Sequence, residues 1–176
     1  SGSPAAGMVA RTARYRRRPP PPRDPPRDPP RDAGCRERVF LEHHRGLALL
    51  HRGRPGEARA HLEAAIRLGT ALGDAVITCF DEIYRAEALV FEGSYPEALS
   101  ELRRLSRPGI PGRIRKLALS RLAFLQALIA DPAQSEASIA EHQRLAPEPA
   151  VRFLDAGDDL FLGWASSILG RFQDAA

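Results

Sequence analysis

Residues 75–98 read AVITCFDEIYRAEALVFEGSYPEA, an apolar helical pattern that runs directly into a turn signal. Val76, Phe80, Ile83 and Val90 fit the three- and four-residue spacing that places side chains on one face of an α-helix. A strand would instead alternate apolar and polar residues, and no such alternation is found along the chain. The segment therefore predicts a helix with one buried face.

A second helix is expected immediately after this segment. Gly93 ends the apolar pattern, as glycine does at helix C-termini, and Ser94 with Glu97 matches a capping box. Ala98 and Leu102 then resume the helical spacing. Two helices joined by a tight turn are therefore the predicted unit.

The turn signal recurs along the chain. The pattern Gly-x-x-x-acid-Ala occurs three times, and a fourth match has proline in place of glycine. Repetition at a near-constant step is the signature of a repeat architecture. The matches start at Gly53, Gly93, Pro132 and Gly170, in steps of 40, 39 and 38, and they place the small residue at Ala58, Ala98, Ala137 and Ala175.

Each match follows an apolar helical segment, at residues 39–52, 75–92, 114–130 and 151–169. Residues 69–74 and 107–112 carry Gly or Pro and are expected to link one helix pair to the next. Pro132 at the start of a second helix, with Asp131 as its N-cap, agrees with this division. The sequence predicts an all-α chain.

The pattern resembles the tetratricopeptide repeat family, over about residues 38–176. The shared features are the turn glycine, the small alanine, and an aromatic residue two positions after the glycine, here Tyr95 and Phe172. The usual period is about 34 residues, and the longer step is similar to a variant found in sensor regions of large bacterial regulators. The resemblance implies an α-solenoid of antiparallel helix pairs, with about 3.5 repeats.

The same resemblance implies a non-enzymatic protein-interaction scaffold, because stacked helix pairs present an extended concave surface lined by the first helix of each pair. An apolar, aromatic surface of this kind suits a peptide or a helix of a partner protein. The alternative for the apolar residues is ordinary helix–helix core. Tyr84, Glu87, Gln126 and Trp164 are favoured as binding residues since their polar atoms need solvent or a partner. The full candidate set is His43, Leu47, Phe80, Tyr84, Glu87, Gln126, Phe161 and Trp164.

The N-terminal residues 1–36 differ in composition from the rest. Pro-Pro-Arg-Asp occurs three times in tandem at residues 21–32, and residues 11–36 hold nine arginines against three aspartates, a net +6. Since the whole chain is +4, residues 37–176 carry −2, which excludes a basic nucleic-acid-binding domain. We expect a disordered spacer arm. Two alternatives remain, a polyproline ligand for an aromatic groove and phosphate contacts by the arginines from Arg11 to Arg18, as in a nucleic-acid-linked regulator.

The remaining signals favour a cytoplasmic protein without a cofactor or metal. Cys35 and Cys79 have no disulfide or metal-ligand spacing, and no apolar run is long enough to span a membrane. His43, His44 and His51 form no metal motif and are expected at the surface or partly packed. The acidic residues Asp155, Asp158 and Asp159 leave a cation site open as an alternative.

Two further expectations concern contacts. Glu42 with Arg45, and Glu82 with Arg85, stand three apart and predict surface ion pairs within their own helices. The last half-repeat, with Trp164 and Ile168, is expected either to continue in a longer chain or to pair with another copy.

Overall fold

The structure, a computed structural model, describes residues 32–145 and 152–170, and there it contains seven α-helices and no strand. The all-α prediction is confirmed for these residues. Residues 1–31 of the arm, Phe172 and Ala175 lie outside the described part. Residues 32–36, which the sequence assigned to the disordered arm, instead form the start of the first helix. None of the described helices has the length and apolar run that a membrane crossing needs. The helices are α1 (Asp32–His51), α2 (Pro55–Ala71), α3 (Ala75–Phe91), α4 (Tyr95–Leu105), α5 (Gly112–Leu128), α6 (Pro132–Arg144) and α7 (Arg152–Ile168).

The first helices end in the turn that the glycines predicted. After α3, the Gly93 N–H donates to Val90 O at 3.0 Å and the Ser94 N–H to Leu89 O at 2.9 Å. This pair of bonds is the Schellman motif, which requires a left-handed residue at its centre. Gly53, Gly93 and Gly170 have φ of 70°, 81° and 76°, so each supplies that conformation without steric cost.

The turn after α5 is built in the same way around a residue that is not glycine. Ala130 has φ of 60°, its N–H donates to Ala127 O at 3.1 Å, and the Asp131 N–H donates to Gln126 O at 2.8 Å. Asp131 then caps α6 by accepting from the Gln134 N–H at 3.4 Å, with Pro132 in the first helical position. Ala130, and not Pro132, therefore takes the place of the turn glycine.

Because the turn position lies two residues earlier than predicted, the small buried residue of the third helix pair also changes. Ala58 and Ala98 lie five residues after their glycines and are fully buried, as expected. The corresponding position after Ala130 is Ser135, which is fully buried and donates its hydroxyl to Ala123 O at 2.8 Å. Ala137 is exposed instead. Tyr95, the predicted aromatic, begins α4 and packs against the main core.

Two other local predictions differ from the structure. The link predicted at residues 69–74 is shorter, because α2 continues to Ala71. Gly69 is a buried helical residue, and a Cβ there would lie 2.8 Å from Thr78 Oγ1. Ser94 occupies the N-cap of α4 without a side-chain capping hydrogen bond, so the capping box does not form.

Each helix from α1 to α6 packs against the next, and α7 packs against α5. The first helices also contact one another in the order α1, α3, α5, α7. The largest buried cluster lies between α3, α4 and α5. Burying each of its large aliphatic side chains stabilises the fold by about 1.5–3 kcal/mol. Its largest fully buried members are Ile83, Leu102, Leu105, Ile114 and Leu125.

The closest approach of two described helices at a glycine is between α1 and α2. A Cβ at Gly46 would lie 2.7 Å from Leu62 Cγ, a distance that real side chains do not reach. Leu62 is itself fully buried. The glycine therefore allows α1 to press directly on the Leu62 side chain.

Ion pairs cross between helices more than they run along them. Arg85 reaches Glu101 at 2.7 Å and Glu82 accepts Arg104 at 2.8 Å, so both residues of the predicted α3 pair bind α4 instead of each other. Glu42 and Arg45 do approach, at 3.6 Å, but Glu42 lies closer to His61 of α2, at 2.6 Å. These contacts tie the two helices of a pair together.

Candidate functional site

One groove, with a volume of about 470 Å³, runs across the first helices. Among the described residues, every lining residue belongs to α1, α3, α5 or α7, because these helices contact one another in succession and leave one side in common. The groove is mainly apolar and aromatic, with three histidines along α1. The lining residues are His43, His44, Leu47, Leu50, His51, Tyr84, Glu87, Phe91, Leu117, Arg121, Gly157, Leu160, Phe161 and Trp164.

Arg121 is the central polar residue of the groove floor. Its Nε donates to Glu87 Oε2 of α3 at 3.1 Å, and its Nη1 donates to Asp158 Oδ1 of α7 at 3.0 Å. The guanidinium carbon lies 4.5 Å from the centre of the Phe161 ring, a cation–π distance. One side chain of α5 thus binds both neighbouring first helices.

Burial raises the pKa of both carboxylates of this network, but the net shifts are opposite. The pKa of Glu87 is raised, because loss of water outweighs the attraction and hydrogen bond of Arg121. Burial alone would also raise the pKa of Asp158, but hydrogen bonds from His142 and Ser120 and the charge of Arg121 together lower it. Asp158 is therefore the carboxylate better suited to carry the charge that balances Arg121.

A third buried carboxylate supports the α1 wall. Asp81 of α3 is fully buried, and its Oδ1 lies 2.6 Å from Nδ1 of His43. Its Oδ2 has no hydrogen-bond partner among the residues that the structure describes. Burial raises the pKa of Asp81, more than the hydrogen bond and charge of His43 lower it. The contact fixes the orientation of the His43 ring, whose T-shaped neighbour is Tyr84 at 5.8 Å between ring centres.

Asp81 and Asp158 occupy matching positions. Each lies twelve residues before the turn glycine of its helix, Gly93 or Gly170. Their partners match as well, since His43 and Ser120 each lie ten residues before Gly53 or Ala130, and Ser120 donates to Asp158 at 2.9 Å. The contact of α1 with α3 is therefore repeated, with different chemistry, by the contact of α5 with α7.

Three large apolar side chains stay exposed inside the groove. Phe91 is 49% exposed, Leu160 49% and Trp164 39%. Trp164 stands among other rings, 5.3 Å from Phe161 and 5.4 Å from Phe124 between ring centres, so its position is set by packing. Exposed rigid aromatics in a concave site are typical of ligand and peptide pockets.

Most of the candidate residues from the sequence lie in this groove, and two do not. Phe80 is absent from its lining and stacks under Arg113 at 4.9 Å. Gln126 is 2% exposed and points into the α5–α6 contact, 2.7 Å from Ser138 Oγ. With its amide nitrogen toward the carbonyl oxygens of Leu122 and Gln134, the group is satisfied inside that pair. Its polar atoms therefore need no outside partner.

Glu87 lines the groove, but the sequence argument that its polar atoms need solvent or a partner does not hold in the structure. The residue is only 7% exposed and is bound by Arg121, so its carboxylate is not waiting for a partner protein. His43, Leu47, Tyr84, Phe161 and Trp164 also lie in the lining. Of these, Trp164 presents the most open surface.

Sequence reasoning missed several lining residues, above all Arg121. Nothing in its local sequence distinguishes it from the chain's many other arginines. Only its position among the apolar residues of α5 indicated that it is buried and paired. Phe91 and Leu160 belong to the apolar helical segments at residues 75–92 and 151–169, but nothing in those segments marks them as exposed. The other lining residues not singled out are His44, Leu50, His51, Leu117 and Gly157.

The other polar groups considered from the sequence are not grouped as a metal site would require. Within residues 32–145 and 152–170, no three His, Cys, Asp or Glu side chains converge in that way. Asp158 faces Arg121 and His142, whereas Asp159 is exposed. The arginines from Arg11 to Arg18 precede the described part of the chain.

No protein-family model, no curated protein and no solved structure matches this chain. The function proposed below therefore depends on the geometry of the groove.

Proposed function

We propose that the protein is a non-enzymatic interaction module in which an α-solenoid of tetratricopeptide-like helix pairs binds an extended peptide or an amphipathic helix of a partner protein. The observation that carries the proposal is the groove, whose described lining residues all lie on first helices, with Phe91, Leu160 and Trp164 exposed inside it. Such side chains gain from being covered, at about 25 cal/mol per Å² of apolar surface removed from water.

The spacing of the turns supports the stacked-pair part of the proposal. Gly53, Gly93, Ala130 and Gly170 hold equivalent left-handed turn positions, in steps of 40, 37 and 40 residues. The matching contacts of Asp81 and Asp158 support it further. In an architecture of this kind, equivalent faces of successive units line one surface, which suits binding along its length.

The floor chemistry favours a partner whose central residues are apolar. Arg121 already meets Glu87 and Asp158, so the floor offers no unpaired charge for an ionic anchor. The binding energy is then expected to come from a few apolar anchors that fill the aromatic part of the groove. The histidines on α1 would form the polar wall.

A matched pair of variants tests the proposal. We would select ligands from a displayed library of 16-residue peptides on the full chain, and measure the affinity of a selected peptide for the wild type, Phe91→Ala and Phe40→Ala. Phe91 lines the groove, whereas Phe40, which is 63% exposed, does not. We expect Phe91→Ala to weaken binding about tenfold or more and Phe40→Ala to leave it near the wild-type value.

Leu160→Ala and Leu128→Ala provide a second matched pair, because both leucines are exposed, at 49% and 41%, and only Leu160 lies in the groove. Circular dichroism of all four variants would establish that they are folded. A library that yields no ligand, or ligands that lose affinity equally in both members of each pair, would refute the groove as the binding surface.

A further inference from the structure

We propose that the proline-rich segment of the same chain, residues 19–31, binds in the groove and competes there with partner peptides. The inference rests on the proposed function, since it assigns an occupant and a form of regulation to the same groove. It is carried by three features: the chemistry of the segment, the lining of the groove, and the distance between them.

Over residues 19–25, the segment has one face made of proline alone. It reads PPPPRDPPRDPPR, and a polyproline helix has three residues per turn. Pro19, Pro22 and Pro25 would then lie on one line, about 19 Å long at 3.1 Å per residue. The four-residue spacing of the arginines moves the charged residues to the other two faces over this stretch. The segment thus offers an apolar ridge with charged flanks.

The groove has the lining that such a ridge fits. Polyproline ligands bind between aromatic side chains, which stack on the proline rings. Tyr84, Phe91 and Trp164 supply aromatic surface in the groove, and Trp164 is held in place by two ring neighbours. The Glu87 charge is already met by Arg121 on the floor, so an uncharged ridge would leave no buried ion without a partner.

The segment is close enough to reach the groove within one molecule. It precedes α1 directly, and α1 forms one wall of the groove from His43 to His51, about 16 to 28 Å from its first residue at 1.5 Å per residue. The seven residue-to-residue steps from Pro25 to Asp32 span up to about 22 Å, and the thirteen steps from Pro19 span about 40 Å, when extended as polyproline. A segment that folds back along α1 can therefore lay its proline ridge across the groove.

Tethering makes even a weak contact effective. A connection whose length matches the span between two sites gives an effective concentration on the order of millimolar. A ridge that would bind in trans with a Kd of about 0.1 mM would then occupy the groove about ten times out of eleven, and would weaken an external peptide roughly tenfold.

Two triple variants of the full chain separate this proposal from a general effect of proline. The first, Pro19→Ser with Pro22→Ser and Pro25→Ser, removes the ridge. The control, Pro20→Ser with Pro26→Ser and Pro29→Ser, removes as many prolines from another face. Trp164 is the chain's one tryptophan and lies in the groove, so its quenching by acrylamide reports whether the groove is covered.

We expect the ridge variant to show stronger Trp164 quenching than the wild type and to bind a library-selected peptide about tenfold more tightly. The control variant should stay close to the wild type in both measurements. A synthetic peptide with the sequence of residues 17–33 should protect Trp164 again in the ridge variant, and should fail to do so when Phe91→Ala is added.

The outcomes distinguish binding of the proline-rich segment from the proposed binding of partner peptides. If both triple variants match the wild type while selected peptides still depend on Phe91, the groove binds peptides and the intramolecular proposal is refuted. If protection of Trp164 in the wild type rises with protein concentration, the segment fills the groove of another copy and the proposal is likewise refuted. If neither the segment nor any library peptide alters Trp164, both proposals fail.

Discussion

Ala130 holds a backbone conformation that the other turns assign to glycine. A side chain at φ of 60° places its Cβ near the following carbonyl, which costs about 1–2 kcal/mol relative to glycine. The turn forms nevertheless, because Asp131 and Pro132 fix the start of α6 directly behind it. Alanine is not a typical turn residue, so the sequence does not mark position 130 as a turn. The Gly-x-x-x-acid-Ala pattern was therefore matched from Pro132 instead.

Ala130→Gly is expected to raise the free energy of unfolding by about 0.5–1 kcal/mol, because relief of the left-handed strain exceeds the added freedom of the unfolded chain. Urea unfolding followed by circular dichroism measures the change. Ala140→Gly, at an exposed site inside α6, is the control and should lower stability by about 1 kcal/mol. Equal losses in both variants would contradict the assignment of the turn.

At the scale of the helices, the sequence predicted α3, α5 and α7 to within two residues at each end, because apolar periodicity and turn residues agree there. It placed the start of α1 seven residues too late, at Val39 instead of Asp32. The expected segment of residues 75–92 and the observed α3 differ by one residue at the end. The prediction failed where one signal was ambiguous. Gly69 looked like a helix stop, but its lack of a side chain serves the approach of Thr78. Contacts across helices, such as Arg85 with Glu101, have no signature in local spacing.

The register of α6 can be tested by substitution with leucine. Ser135→Leu would force a large side chain into the fully buried contact with α5 and should lower the free energy of unfolding by about 1–3 kcal/mol. Ala137→Leu places the same side chain on the exposed face and should change stability by less than about 0.5 kcal/mol. If Ala137→Leu lowered the thermal unfolding temperature more than Ser135→Leu, Ala137 and not Ser135 would lie in the contact with α5.

For the molecule as a whole, the family resemblance pointed to the first helices as the lining of a surface, but nothing in the sequence indicated what holds these helices together. Repetition of the turn is enough to align first helices, whereas the Arg121 network depends on three residues that are far apart in the chain, Glu87, Arg121 and Asp158. The same distance hid the role of Gln126, whose partner Ser138 lies on the next helix. Pairing of this kind is a property of the packed structure.

Asp158→Asn tests how strongly the network joins α7 to the rest. Removing the charge leaves Arg121 with Glu87 alone, and we expect a loss of about 3 kcal/mol, as for a broken buried ion pair. Because Trp164 lies on α7, its fluorescence should change at lower denaturant than the circular dichroism signal, whereas the two coincide in the wild type. Asp81→Asn, at the matching position of α3, removes a carboxylate whose Oδ2 has no partner and should stay within about 1 kcal/mol of the wild type.

The effect of Asp158 has a defined pH dependence. Because the pKa of Asp158 is lowered on folding, its contribution is complete above the unfolded value of about 3.9 and is lost as the pH falls toward the folded value. The stability difference between wild type and Asp158→Asn should therefore be constant from about pH 7 to 5 and shrink below about pH 4. A difference that grows on acidification would contradict the lowered pKa.

The close contact at Gly46 limits how the helix pairs can be exchanged. The residue that corresponds to Gly46 in α5 is Ala123, seven positions before the turn, and it packs against Ile139 of α6 where Gly46 packs against Leu62 of α2. Moving the α5 sequence into the place of α1 would drive the Ala123 methyl group into Leu62, and a close-packed interior has no space to absorb it. Recombination of this chain would therefore have to transfer helices two at a time, each first helix with its own second helix.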